Sequence, residues 1–119
     1  MSYYADRVSD STTTTGTGTL TLANTSSTGF VTFAVGLGSQ PVYVDYCITD
    51  ASGNFEVGKG LFNGITSLTR EVVYQSSNSN NLVSFGAGTK TVFVTAPARQ
   101  ISRANIGRTL AITNGLAMP

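Results

Sequence analysis

Residues 68–98, LTREVVYQSSNSNNLVSFGAGTKTVFVTAPA, constrain the fold of this chain more than any other stretch. They hold three short apolar runs: Val72-Val73-Tyr74, then Leu82-Val83-Ser84-Phe85, then Thr91-Val92-Phe93-Val94-Thr95. A polar block at 76–81 separates the first two, and Gly86-Ala87-Gly88 separates the second and third. β-branched and aromatic residues between Ser, Asn and Gly clusters predict strands joined by turns. Pro97 ends the third run, because a proline has no N–H to give to a strand ladder.

The chain upstream repeats this grammar. Thr19-Leu20-Thr21-Leu22 alternates with the period of a half-buried strand, with the leucines facing a core. Phe30-Val31-Thr32-Phe33 is the next predicted strand. After Pro41 comes the clearest one. Val42, Val44, Tyr46 and Ile48 share one face, and Tyr43, Asp45, Cys47 and Thr49 share the other. Both faces are fairly apolar, so a central strand is expected. Asp50-Ala51-Ser52-Gly53-Asn54 reads as a hairpin connection to Phe55-Glu56-Val57, and Gly58 and Gly60 predict a bulge in the returning strand. Asn63-Gly64 is the strongest two-residue hairpin signal, with residues 65–70 returning from it. The expected fold is all-β: a small sandwich or barrel of about seven to nine short, mainly antiparallel strands. The expected organisation is an extended, Thr-rich lead at 1–18, a β domain at 19–97 and an extended basic arm at 98–119. Tyr3 and Tyr4 in the lead are expected to anchor on a neighbour or on the body.

Several pieces, taken in order, resemble a small module of tailed-bacteriophage virion proteins. They are Ala5-Asp6-Arg7-Val8, the run ending Gly16-Thr17-Gly18, Thr21-Leu22, Gly29-Phe30 and Phe55-Glu56-Val57-Gly58. They continue with Leu68-Thr69-Arg70, Ser76-Ser77-Asn78, Val83 to Lys90 and Val92 to Ala98. The resemblance covers residues 5–98. It implies a capsid cement (decoration) protein or a tail-fibre or tail-adaptor attachment module, and no enzymatic activity. It further implies the major capsid protein, or tail and adaptor proteins, as partners. A homo-oligomer, trimeric at three-fold positions, would suit the capsid role. The expected location is the virion, assembled in the host bacterial cytoplasm.

Composition narrows the chemistry. Histidine is absent and there is one cysteine, Cys47, so zinc ligation and an intrachain disulfide are not expected. Cys47 lies within an apolar run and reads as a buried, inert thiol. Asp45, Asp50 and Glu56 would have to meet across a hairpin to hold calcium, and their spacing fits no known loop. Asp45 with Glu56, flanked by Tyr43 and Phe55, is the one conceivable glycosidase pair. Two satisfied or surface carboxylates near a turn are the more economical reading. A carbohydrate-binding domain would want aromatic platforms, and tryptophan is absent. Gly16-Thr17-Gly18 lacks the Lys-Ser/Thr pair that opens a helix in a phosphate-binding loop. No cofactor is expected. The first residues lack the apolar core of a signal peptide, and no run of about 20 apolar residues predicts a membrane span.

The net charge of +1 hides an asymmetry. Residues 1–97 carry four basic and six acidic side chains, whereas 98–119 carry three arginines and no acid. A mildly acidic body is a poor nucleic-acid surface, so no direct nucleic-acid contact is expected. A basic arm on such a body suits an acidic partner surface. Arg99, Arg103 and Arg108 are the candidates to pair with capsid carboxylates. Ile101, Ile106, Leu110 and Ile112 are the candidates to fill apolar grooves. These seven residues lie beyond the resemblance and rest on charge and pattern.

Overall fold

The computed structural model describes residues 3–26 and 28–97. Six strands form one sheet: β1 (Ser9–Thr12), β2 (Leu20–Thr21), β3 (Val42–Thr49), β4 (Phe55–Phe62), β5 (Ser67–Ser76) and β6 (Lys90–Val94). Their order is β1-β6-β3-β4-β5-β2, and every neighbouring pair is antiparallel. The sheet curls until its two outer strands meet at a Thr12–Leu22 bridge, which nearly closes a barrel. The Thr12 hydroxyl reinforces that seam by donating to the Thr21 carbonyl at 2.7 Å. The small all-β barrel expected from the sequence is therefore present, and β3 is an interior strand as predicted. β1 falls within the 1–18 segment, so part of that lead belongs to the sheet.

The inner face follows the alternation. Val44, Tyr46 and Ile48 of β3 are fully buried, and so are Leu20, Phe62, Leu68 and Val92 from the other strands. β4 alternates without a break, with Glu56, Gly58, Gly60 and Phe62 inward and Phe55, Val57, Lys59 and Leu61 half-buried outside. Gly58 and Gly60 sit at two register shifts against β5, as the sequence predicts. A Cβ at Gly58 would lie 2.2 Å from the Val72 carbonyl oxygen, and one at Gly60 would lie 2.4 Å from that of Thr69. The bulged pairing thus requires glycine at both places.

Three predicted elements differ, and the described residues hold six strands rather than seven to nine. Phe30-Val31-Thr32-Phe33 is not a strand. Val31 makes one isolated parallel bridge to Val8, and α1 (Phe33–Leu37) follows at once. Thr32 caps this helix, its side chain accepting the Val35 N–H. The turn drives Phe33 fully into the core, edge-on to Phe62 with ring centroids 5.6 Å apart. Nor does Leu82-Val83-Ser84-Phe85 form a strand. Val83 and Phe85 are buried, but the ladder there is a single Gly16–Phe85 bridge. The Val83 backbone is satisfied instead by the side chains of Glu56 and Arg70. Lastly, Asn63-Gly64 does not make a two-residue hairpin. The Asn63 Oδ1 accepts the N–H groups of Ile65, Thr66 and Ser67, so the loop is wider and β5 starts at Ser67. β5 then runs on through Val72-Val73-Tyr74, joining two runs that read as separate.

Candidate assembly surface

The two faces of the sheet carry different polar centres. Inside, Glu56 and Arg70 form an ion pair of 3.0 Å between side chains that are 0% and 1% exposed. The Tyr46 hydroxyl donates to Glu56 Oε2 at 2.6 Å, and the Val83 N–H donates to Oε1 at 2.8 Å. Arg70 spends its remaining donors on backbone carbonyls: Val83 at 3.0 Å, Gly16 at 2.8 Å and Gly18 at 3.1 and 3.2 Å. Its guanidinium also lies 5.8 Å from the centroid of the Phe85 ring. Burial, and then the bond to Glu56, push the Tyr46 phenol well above its usual pKa, so it remains a donor. This cluster ties the Gly16–Gly18 loop and the 83–85 segment to β4 and β5. It is enclosed, and what it does is hold the fold.

Outside, the centre is Asp45, fully buried although it lies on the outer face of β3. It accepts hydrogen bonds from the Tyr4 and Tyr74 hydroxyls, the latter at 3.2 Å. Tyr4 itself is 51% exposed. Partial desolvation and the bond to Asp45 raise its phenol well above the usual value. Tyr3 is seated alongside, its N–H donating to the Tyr43 carbonyl at 2.6 Å. The two N-terminal tyrosines thus anchor on the body, one of the two outcomes expected for them.

Next to Asp45 the outer face carries a shallow groove of about 240 Å³. Cys47, Val57 and Phe93 form its apolar part, with Tyr74 and Gln75 of β5 beside them and Thr95, Ala96 and Pro97 following from β6. Cys47 is half-buried, and desolvation pushes its thiol up to about 11. The thiol is less enclosed than its apolar surroundings in the sequence suggest, because its strand face looks outward. Lys59 lies over the Tyr43 ring at 5.1 Å on the same face.

The carboxylates considered from the sequence do not come together. Asp45 is opposite Lys59 and Glu56 is opposite Ile48, so strand alternation puts Asp45 and Glu56 on opposite faces of the sheet. No glycosidase pair forms between them. Asp50 is half-buried and holds its own turn, its Oδ1 accepting the Ser52 and Asn54 N–H groups and its Oδ2 accepting from the Asn54 side chain. Those bonds hold its carboxyl below the usual range. Among the described residues no group of three or more His, Cys, Asp or Glu side chains gathers as a metal site. The candidate partner contacts Arg99, Ile101, Arg103, Ile106, Arg108, Leu110 and Ile112 lie outside the described residues.

Sequence reasoning missed the Glu56–Arg70 pair and the tyrosine-held Asp45. Counting alternation from Ile48 across the Asp50–Asn54 turn would have sent Glu56 inward, where a carboxylate needs a cation. Nothing local marks Tyr4 as the partner of Asp45, 41 residues away. Comparison with known proteins finds no matching family model, no matching curated protein and no matching solved structure.

Proposed function

We propose that this chain is a non-enzymatic structural protein of a tailed-bacteriophage virion, acting as a capsid cement protein that clamps neighbouring major capsid subunits. The observation that carries this reading is a convergence. Gly16, Gly18, Glu56, Arg70, Val83 and Phe85 come from four separate pieces of the resemblance, and all six meet in one network centred on the buried Glu56–Arg70 pair. Residues scattered along the chain that combine into a fold-making cluster are what a shared module needs. The same architecture leaves the outer face, with its aromatic groove and anchored N-terminal tyrosines, for contact with a capsid subunit. The groove reaches Pro97, directly before the arginines and aliphatic residues of 98–119. Clamping of this kind works by contact area, and modest contacts repeated over many sites suffice. A trimer at three-fold positions fits the reading, with assembly on the particle after synthesis in the host cytoplasm.

The test is the copy number per purified virion, by quantitative mass spectrometry against the major capsid protein. A cement protein gives between about one third and one copy per capsid subunit, as capsid symmetry requires. A handful of copies per particle would replace this reading with a tail-fibre or tail-adaptor module. Absence from the virion would overturn both.

A further inference from the structure

The N-terminal segment is seated in the sheet without forming one of its strands. β4 covers one edge of β3 from Val42 to Thr49, but β6 covers the other only from Tyr46 to Thr49. On that second edge the Thr95 N–H reaches the Asp45 carbonyl at 3.0 Å, and the Tyr3 N–H takes the Tyr43 carbonyl at 2.6 Å. Tyr3 makes one parallel bridge, to Val44, and Tyr4 donates its hydroxyl to Asp45. Ala5 packs against the core. Residues 3–5 are thus a strap in the ladder position that β6 vacates. The strap is lightly held, with Tyr3 58% and Tyr4 51% exposed.

The strap is joined to β1 by a kink. β1 and β3 are both antiparallel to β6, so β1 runs in the same direction as β3, and so does the strap. To pass from strap to β1 the chain steps across the end of β6, where the Val94 N–H donates to the Val8 carbonyl. The step falls at Asp6 and Arg7. Arg7 has φ 59°, in the left-handed region that favours glycine. Its side chain holds the kink, donating to the Gly29 carbonyl at 3.0 Å and lying 4.1 Å from the centroid of the Phe30 ring. A straight backbone at Arg7 would instead carry the strap onward along the line of β1, away from β3.

We propose that the strap is exchanged between copies of this chain, residues 3–5 of one copy seating on the β3 edge of the next. The strap's own contacts show what that edge accepts, and a second copy presents the identical segment. Exchange remakes the bonds to Tyr43 and Asp45 in trans and lets Arg7 leave the left-handed region. Hinge strain therefore favours it, as it does for short, strained hinges in general. Surface exposure of both tyrosines allows the strap to lift without unfolding the barrel. A strap passed from copy to copy in one direction is a heterologous contact, which closes into a ring such as a trimer. The inference stands apart from the virion reading and concerns how copies of the chain join.

The test uses the full chain. Equal amounts of isotope-labelled and unlabelled protein are unfolded together, refolded and concentrated, and isotope-filtered NMR then reports contacts between copies alone. Expected are contacts from the Tyr3 and Tyr4 rings of one copy to Tyr43 and Tyr74 of another, with an oligomer in sedimentation. Two hinge variants give a second readout. Arg7→Gly and Arg7→Pro lose the same side chain, so loss of the Gly29 and Phe30 contacts is common to both, and both keep the carbonyl that accepts the Val31 N–H. Glycine accepts the kink, whereas proline, fixed near a φ of about −65°, forbids it. Arg7→Pro should therefore associate about tenfold more tightly than Arg7→Gly, the penalty of the left-handed region setting the scale. Strap contacts found only within a copy, an oligomer whose copies share no strap contact, or equal association of the two hinge variants would each overturn the proposal. No virion enters these experiments, so their failure is distinct from failure of the copy-number measurement.

Discussion

Each face of the sheet has a carboxylate with a tyrosine donating to it, and the two are put to different use. Glu56 on the inner face is sealed by Arg70, Tyr46 and the Val83 backbone, all drawn from the folded body. Asp45 on the outer face is also out of contact with water, but one of its tyrosines, Tyr4, comes from the N-terminal segment and is half exposed. The inner centre joins segments distant in sequence, so breaking it should unfold the barrel. The outer centre pins a terminal segment to the surface, so breaking it should release that segment and spare the barrel. Identical chemistry can make a core or a docking surface, depending on what covers it.

The largest effect should come from breaking the inner pair on one side. Arg70→Ala leaves a buried, unpaired Glu56 and the Gly16, Gly18 and Val83 carbonyls without their donor. A loss of about 3–5 kcal/mol in denaturant unfolding is expected. The double variant Glu56→Leu with Arg70→Met removes both charges and should lose less than Arg70→Ala alone. An equal or greater loss would mean that the carbonyl contacts, not the ion pair, matter most.

Gly58→Ala tests the inner face by crowding. The new methyl would meet the Val72 carbonyl and, at 2.9 Å, the Tyr46 hydroxyl that serves Glu56. The expected cost is about 1–3 kcal/mol, seen in the same unfolding curves. The two tyrosines then compare the faces directly. Tyr46→Phe strips a donor from a sealed carboxylate and should cost about 1–3 kcal/mol, whereas Tyr4→Phe, at a half-exposed position, should cost about 0.5–1.5 kcal/mol. Tyr4→Phe should also raise amide exchange around Tyr3 and leave β4 and β5 protected. Equal costs would erase the distinction between the faces.

The smallest effect is in alkali. The Cys47 thiol is raised from its ordinary 9.0 to about 11 in the fold. The folded chain therefore holds this proton where the unfolded chain has released it. Its contribution to stability is full below pH 9 and declines as pH rises from 9 to about 11. Alkylation of Cys47 at pH 9 should accordingly be slower in the native protein than in urea, and a native rate equal to the unfolded one would place the thiol fully in solvent.

Much of the barrel was legible because strand alternation is a local signal. The faces of β3 and the inward leucines at 20 and 22 follow from it, and the glycines at 58 and 60 mark the register shifts of β4. The failures share one cause, the substitution of side chains for backbone partners. Thr32 caps a turn and converts a predicted strand into α1, while Asn63 gathers three N–H groups and widens a loop. Glu56 and Arg70 take up the backbone of Val83, so a run with strand composition has no ladder to join. The surface was harder to foresee. The outer groove is assembled from β3, β4, β5, β6 and the residues after β6, which no local pattern brings together.

Cys47, the chain's single cysteine, lies on the face assigned to assembly and provides its own probe. The most direct measurement is its maleimide labelling rate, compared at one pH between the free protein and purified particles containing it. If the outer face meets the capsid, labelling in the particle should fall at least about tenfold below that of the free chain, as burial in a contact would give. Equal rates would show that this face stays open on the particle, and would contradict the assignment of the sheet's outer face to assembly.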